Sequence, residues 1–448
     1  MQYFDTRRFF TSKRKMELSF FIALVATVFA VVFLAAKLIL AKPLGWFSLV
    51  ASFIASQIGS SLLIYTAEYA YTDGFLAIMY PLGTSLGMLA LSFGIGAKIH
   101  KLQISDLSDV FEKHYHSESL KRVSSFLLLA SLLGLLIAQA VALKGLLETI
   151  GIAHESFFIT MWMAMLAFTV YGTVKSQVWS DTLQAVLILA MLGAAYVLQT
   201  SSQSNDATLW QSSIVFNCGE LNAKLLSALL LPCFFVIIDP GLVNNMPFSR
   251  SRRKVFSAAL CAALLIVGIS LPSVYCGIVG NKDMVLSEEV NMAATSLGSH
   301  TKLATFCTCL LLVAFICSSS SLVQSLHVKI KDISLCRHAI SWRWTFVLGV
   351  GALAGSYAAN SMSSLLLDSY GLVVSSFLIP VVKAAFARNI KPISKYAAAL
   401  SMVCGASTFC LCHIFSITLF PEILSIAISW IGFILGKQVS NEKNLERS

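Results

Sequence analysis

The sequence predicts an all-α, polytopic transmembrane helix bundle of about 13 helices, built on an inverted repeat of five plus five core helices. Three observations support this fold class. Of the 448 residues, 57% are apolar and only 12% are charged, whereas a soluble domain averages about 25% charged residues. Apolar runs of about 18 or more residues recur along the chain, and each is long enough to cross a bilayer. Two of these runs are interrupted by polar residues at corresponding positions.

The apolar runs define the predicted spans and their grouping. Because lipid offers no hydrogen-bond partners to the backbone, each span is expected to be a helix. An extra helix lies in the N-terminal segment 1–43, two helices occupy 396–437, and 438–448 is a cytoplasmic tail. The core helices between them form one repeat over 44–200 and a second, inverted repeat over 224–387. The spans are 18–41, 44–72, 74–97, 123–150, 156–172, 178–200, 224–240, 255–280, 302–328, 342–359, 363–387, 396–413 and 414–437.

Loop charges predict the orientation. Loops 199–223 and 358–364 contain no Lys or Arg, whereas four other loops are rich in them. The positive-inside rule places these four in the cytoplasm: 98–122, 241–254, 329–343 and 388–395. Counting back from these loops places the N-terminus outside, whereas Arg7 and Arg8 argue for an N-terminus in the cytoplasm. Either the first span is not a simple crossing, or the topology of the downstream helices overrides these charges. The net charge of +10 is therefore explained by basic residues that orient the protein in the membrane, and no nucleic-acid partner is expected.

The remaining chemistry-bearing residues do not predict an enzyme. The eleven cysteines show no metal-ligand spacing and are read as small buried apolar residues. His100, His114 and His116 form the one histidine cluster, on a loop expected to be solvated. No cofactor other than a coupling ion is expected. A membrane-embedded lipid-modifying enzyme is the less favoured alternative to a transporter, and a transporter-like sensor without transport is a second alternative.

Two interrupted helices predict a binding site at the middle of the membrane. Span 44–72 contains the polar run Ser56–Ser61, and span 224–240 ends in Asp239-Pro240-Gly241. Each span opens one of the two repeats. Breaks at corresponding positions expose backbone carbonyls and helix ends that can hold ions and substrate. Alternatively, Gly, Ser and Pro serve only to permit close packing or a kink.

Several motifs resemble the sodium:solute symporter family. The sequence from Ala55 to Gly74 resembles the first core helix of that family, and Thr66-Ala67-Glu68 within it is most similar to the choline-transporter-like branch. Further resemblances lie, in the expected order, at Pro81–Gly87, Ser105–Glu112, Tyr171–Gln184 and Ser318–Ser321 with the following Lys331-Asp332-Ile333. The match covers roughly 44–390. It implies a leucine-transporter-like fold in the cell membrane and symport of a small organic solute with a cation.

The same resemblance implies an ion site with one departure from the family pattern. Sodium would lie between the carbonyls of Ala55 and Ile58 on the first core helix and the segment around Ala314 on the eighth. Two adjacent hydroxyl side chains are expected in this segment. Aligning the motif in one register places Ile316 and Cys317 at these positions, and shifting it by one residue places Cys317 and Ser318 there. A thiol is a poor ligand for a hard cation, so Na⁺ and H⁺ both remain open as the coupling ion. Asp181 on the fifth core helix is implied in ion exit.

The candidate substrate-binding residues are polar side chains within apolar helices. A carboxylate at mid-depth costs about 2.5–3.5 kcal/mol on insertion scales, so such groups usually face a cavity or a partner. The set is Gln57, Ser60, Glu68, Gln139 and Asp239. Glu68 is alternatively a solvated acid near the outer end of its span, and Gln139 alternatively bonds a neighbouring helix. Choline is disfavoured because position 57 is Gln and no Trp occurs between Trp210 and Trp342. An amino acid, a vitamin-like acid and a sugar all remain open.

Overall fold

All regular secondary structure in the described part of the chain is helical, which confirms the predicted all-α class. The structure is a computed structural model, and it describes residues 46–58, 60–102, 104, 106–149, 155–171, 184–186, 188, 223–245, 252–283, 301–334, 338–359, 361–387, 394–415 and 421–445. The predicted span 18–41 and most of span 178–200 lie outside these residues.

The helices follow the order of the predicted spans. They are α1 (Trp46–Gln57), α2 (Ser60–Asp73), α3 (Met79–Ala90), α4 (Gly96–Lys101), α5 (Asp109–Lys113), α6 (Glu118–Thr149), α7 (Glu155–Tyr171), α8 (Ala223–Ile238), α9 (Pro240–Asn245), α10 (Arg252–Asp283), α11 (Thr301–Ser334), α12 (His338–Ala358), α13 (Met362–Phe386), α14 (Lys395–Ile414) and α15 (Pro421–Leu445). A 3₁₀ turn at Gly74–Ile78 precedes α3, and a π turn at Leu91–Ile95 follows it.

The length and composition of the helices fit a protein that crosses the membrane many times. Within the described residues, seven helices are long and apolar enough to span a bilayer, or eight if the bent pair α1 and α2 counts as one. The chain is thus a multi-pass membrane protein. The total of about 13 helices includes segments outside the described residues and stays a prediction.

The first break separates α1 from α2. Helix α1 ends at Gln57 and α2 begins at Ser60, with an angle of 48° between the two segments. The last regular turn of α1 extends to Ile58, whose backbone N–H donates to the carbonyl of Ile54 at 2.6 Å. The Ser56 hydroxyl donates to the carbonyl of Phe53 at 3.0 Å, as serine side chains that compete with the backbone do, and the break falls within the polar run Ser56–Ser61.

The second break separates α8 from α9 at Asp239. Proline has no N–H to donate and its fixed φ suits the first residue of a helix, which is where Pro240 lies. The Asp239 carboxylate accepts a hydrogen bond from the N–H of Gly241 at 2.8 Å, as an N-cap residue does. Asp-Pro-Gly therefore ends one helix and starts the next within three residues.

Glycines bring α3 into close contact with α8, the first segment of the second broken helix. A Cβ on Gly83 would lie 2.1 Å from the carbonyl oxygen of Leu229, and one on Gly87 would lie 2.6 Å from that of Cys233. Glycines four residues apart permit this close approach of two membrane helices. The contact fixes α8, and therefore the position of Asp239 at its end, relative to α3.

The loop between α4 and α6 is anchored near the C-terminal ends of α11 and α13. Lys329 of α11 is 1% exposed and pairs with Asp106, which also accepts from the backbone N–H and the hydroxyl of Ser108. The Tyr115 hydroxyl donates to the carbonyl of Pro380 at 2.7 Å. The loop is on the side predicted to be cytoplasmic, and these contacts hold it against α11 and α13.

Candidate functional site

A central cavity lies between the two broken helices and three long helices. The cavity has a volume of about 100 Å³. Helices α1, α6, α8, α9, α11 and α13 and residue Gln184 form its wall. The lining residues are Ala55, Ser56, Leu128, Ser131, Leu132, Leu135, Gln139, Gln184, Phe235, Asp239, Pro240, Gly241, Ser318, Ser321, Leu322, Ser325, Leu366, Tyr370 and Val373.

The two helix breaks are joined by a hydrogen bond at the edge of this cavity. The side-chain amide of Gln57 donates to Oδ2 of Asp239, and both side chains are buried. The other carboxylate oxygen, Oδ1, accepts from the N–H of Gly241. Asp239 lines the cavity, whereas Gln57 reaches the carboxylate from behind the wall. Among the lining side chains of the described residues, Asp239 has the one carboxyl group.

The predicted sodium residues divide into those at the cavity and those buried beside it. Ala55 and Ser318 line the same cavity from α1 and α11. Ile58 and Cys317 are buried at 0% and 4% exposure and are not part of its wall. The carbonyl of Cys317 accepts from the hydroxyl of Ser320 at 2.8 Å. Ala314 lies on α11, and its side chain is outside the described residues.

The predicted substrate residues also separate. Asp239 and Gln139 line the cavity, and Gln57 contacts it through Asp239. Glu68 is away from the cavity, on α2, where it accepts from the hydroxyl of Ser363 at 3.3 Å. Ser60 is the first residue of α2, with a side chain outside the described residues. Asp181, the predicted ion-exit residue, also lies outside the described residues.

The cavity contains polar residues that the sequence analysis did not select. Ser321 and Ser325 continue the face of α11 that begins at Ser318, with the spacing of successive helical turns. Gln184 was part of the motif Tyr171–Gln184, but nothing in its spacing marked it as a wall residue. Phe235 and Tyr370 stack at a centroid distance of 3.8 Å across α8 and α13. Of these features, only the spacing of the serines on α11 could be recognised in the sequence.

Comparisons with known proteins agree with this architecture. The sequence model of the sodium:solute symporter family matches residues 38–216. The chain is 26% identical over 251 residues to the sodium/pantothenate symporter of Escherichia coli (strain K12), covering 51% of this chain and 52% of that protein. The aligned region thus spans about half the length of this curated relative. The predicted resemblance to the sodium:solute symporter family is confirmed.

Two solved transporter structures share the fold. One is a substrate-bound, outward-open Na⁺-coupled sialic acid symporter, with a TM-score of 0.73 and 12% identity over 94% of this chain and 97% of that one. The other is Mhp1, a nucleobase-cation-symport-1 family transporter in a closed conformation with bromovinylhydantoin bound, with a TM-score of 0.54 and 14% identity over 89% of this chain and 92% of that one. The expected leucine-transporter-like fold is confirmed.

Proposed function

We propose that this chain is a secondary active transporter, which couples symport of a small organic solute to a cation by alternating access. The observation that carries the proposal is the buried bond between Gln57 and Asp239, which joins the two helix breaks beside the central cavity. Helices broken at membrane depth and facing a cavity are the binding elements of secondary transporters. The similarity to symporters of pantothenate and of sialic acid supports the same class of function. The proposed location is the cell membrane, and no enzymatic step is assigned.

We infer that sodium is the coupling ion. It is a hard cation that prefers oxygen ligands, and the Ala55 carbonyl and Ser318 hydroxyl belong to residues on the same cavity. One cation moving down 100 mV supplies about 2.3 kcal/mol, which corresponds to roughly fifty-fold accumulation of the solute. The alternative is a proton carried by Asp239 or Asp181.

Uptake into proteoliposomes tests this function. Purified full-length protein is reconstituted, and a panel of labelled solutes that includes pantothenate, a hexose, a nucleoside and an amino acid is offered with an imposed Na⁺ or pH gradient. We expect accumulation of at least one class, driven by one of the two gradients and collapsed by the matching ionophore. Uptake that is equal with and without either gradient would exclude coupling, and no uptake of any class would exclude transport.

The coupling site is tested at Cys317 and Ser318. Cys317→Ser replaces a soft thiol with a hard hydroxyl of similar size, so we expect a stronger dependence of uptake on sodium. Ser318→Ala removes an oxygen and is expected to weaken that dependence. If uptake ignores sodium, follows a pH gradient and is unchanged by Cys317→Ser, the proton alternative applies and Asp181→Asn is tested next. Sodium-independent uptake that also survives Asp181→Asn would contradict both sodium coupling and proton coupling through Asp181.

A further inference from the structure

Two lysines near the C-terminal end of α13 hold their ammonium groups over aromatic rings. Nζ of Lys98, on α4, lies 3.1 Å from the centroid of the Phe386 ring. Nζ of Lys383 lies 4.1 Å from the centroid of the Trp430 ring, which belongs to α15. Because Lys383 and Phe386 are three residues apart, they lie on the same side of α13. Both ammonium groups therefore lie beside the last turn of that helix.

A third lysine lies at the start of α14. Lys395 is the first residue of that helix, and its Nζ lies 5.5 Å from the centroid of the Tyr396 ring. Helix α15 packs closely there, since a Cβ on Gly436 would lie 2.6 Å from the carbonyl oxygen of Tyr396. The same helix contacts Lys383 through Trp430. The three lysines thus come from three helices, at the side of the bundle predicted to be cytoplasmic.

The part of the chain that the structure describes supplies no carboxylate to these three ammonium groups. Its ion pairs all involve other cations. The sequence itself contains no Asp or Glu in 74–105 or in 369–421, the two stretches to which the three lysines belong. An aromatic ring attracts a cation but does not neutralise its charge. The positive charge is therefore available to an anion from outside the chain.

The surroundings of the three lysines are those of the border between lipid hydrocarbon and water. Trp and Tyr concentrate at this border, and a lysine stem lies along apolar surface while its charge points to the headgroups. Phe386 and Trp430 are exposed, as are Leu400 and Val403, which follow Lys395 along α14. A phospholipid can therefore place its phosphate near the lysines and its acyl chains against these apolar residues. A free phosphate would use the charges alone.

We propose that Lys98, Lys383 and Lys395, with the rings of Phe386 and Trp430, form a lysine–aromatic surface that binds the headgroup of an anionic phospholipid. Basic pockets between membrane helices on the cytoplasmic side bind such headgroups. The ammonium groups pair with the negative headgroup, whereas the choline group of a zwitterionic lipid already balances its own phosphate. This proposal depends neither on the transported solute nor on the coupling ion.

Thermal unfolding of the purified full-length protein in detergent tests the proposal, because a ligand that binds the folded state raises the unfolding midpoint. The probes are phosphatidylglycerol, phosphatidylcholine with the same acyl chains, and glycerol 3-phosphate as a free phosphate. We expect phosphatidylglycerol to raise the midpoint more than either of the others at equal concentration, and high salt to weaken its effect. An equal shift with phosphatidylcholine or glycerol 3-phosphate, or no shift with phosphatidylglycerol, would overturn the proposal.

A matched pair of variants locates the binding surface. Lys144 also holds its Nζ over an exposed ring, 4.4 Å from the centroid of Tyr357, but it lies near the C-terminal end of α6, away from the loop between α4 and α6. Lys383→Gln is expected to raise the phosphatidylglycerol concentration for a half-maximal shift at least fivefold, while Lys144→Gln leaves it within twofold. Equal effects of these two substitutions would remove the lysine–aromatic surface from lipid binding.

Two further variants separate charge from packing. Lys383→Arg keeps the positive charge, so we expect it to retain most of the response to phosphatidylglycerol. A loss as large as that in Lys383→Gln would contradict a charge-based site. Lys395→Gln changes an exposed side chain and gives the same comparison with Lys144→Gln if Lys383→Gln does not fold. An unchanged response in Lys395→Gln would likewise count against the proposal.

Discussion

Two carboxylates are buried in different regions of this molecule and have contrasting partners. Asp106, on the loop between α4 and α6, pairs with the buried ammonium of Lys329 and accepts two hydrogen bonds from Ser108. Asp239, at the central cavity, accepts from an amide and a backbone N–H. Both are less than one-tenth exposed, so burial alone does not distinguish them. The difference is whether the chain itself supplies the opposite charge.

The cation beside Asp106 fixes its charge. Burial alone would raise the pKa of this carboxyl, but the Lys329 ammonium and the Ser108 hydrogen bonds outweigh that effect and hold the pKa below its ordinary value. Asp106 is therefore ionised at neutral pH and serves to hold the loop to α11. Asp239 has no such partner among the described residues and is exposed to the cavity, so a cation or proton can bind there and leave. The comparison contrasts a carboxylate that holds a loop in place with the carboxylate that we propose to take part in binding.

Removing the charge of Asp106 should give the largest loss of stability. Asp106→Asn leaves the Lys329 ammonium buried without its counter-charge, and breaking a buried pair in this way typically costs about 3–5 kcal/mol. The measurement is thermal unfolding in detergent. Glu118→Gln is the control, because it breaks an exposed pair with Arg122 and should change the midpoint little. Equal effects of the two substitutions would mean that the buried pair is not a structural anchor.

Removing both charges should restore part of that loss. In the double variant Asp106→Asn with Lys329→Met, no unpaired charge remains, and a buried ion pair can often be replaced by neutral groups at little cost. We expect more than half of the lost stability to return in the same unfolding assay. A double variant less stable than Asp106→Asn would show that the packing of the Lys329 side chain, rather than its charge, is what matters.

Asp239→Asn should have a smaller effect on stability and a large effect on uptake. The Asn amide can still accept from the Gly241 N–H, and the Gln57 amide can rotate to accept from it, so we expect a change below about 1 kcal/mol. Uptake of the active solute should fall at least tenfold because an amide can neither take up a proton nor balance a bound cation at this position. Full uptake by this variant in proteoliposomes would remove Asp239 from the coupling and binding chemistry.

The pH dependence of the Asp106 pair should be the smallest effect. Because the folded pKa is lowered, the stability it contributes is fully present above the unfolded value of about 3.9. This contribution is lost only as pH falls from there through the folded value. The difference in unfolding midpoint between wild type and Asp106→Asn should therefore stay constant from about pH 5 to pH 8. A difference that shrinks within this window would contradict the assigned ionisation.

Part of the candidate site was visible in the sequence. Gln57 and Asp239 were chosen because each is polar, lies within or at the end of an apolar span, and adjoins a break, and the structure brings them together. Glu68 was chosen because it too is polar and lies within an apolar span, yet it lies on α2 against Ser363. A local sequence window reports that a polar group is buried but does not report which neighbour faces it.

The sequence by itself determined the helical class, the membrane setting and the positions of both breaks. These are local properties, since an apolar run must form a helix in lipid and Asp-Pro-Gly favours the start of a new helix. The tertiary structure alone decided which breaks and charges meet. Gln57 and Asp239 are 182 residues apart, and Asp106 and Lys329 are 223 apart. Whether a buried carboxylate faces a lysine or an amide depends on how distant helices pack, because its electrostatic partner comes from another part of the chain.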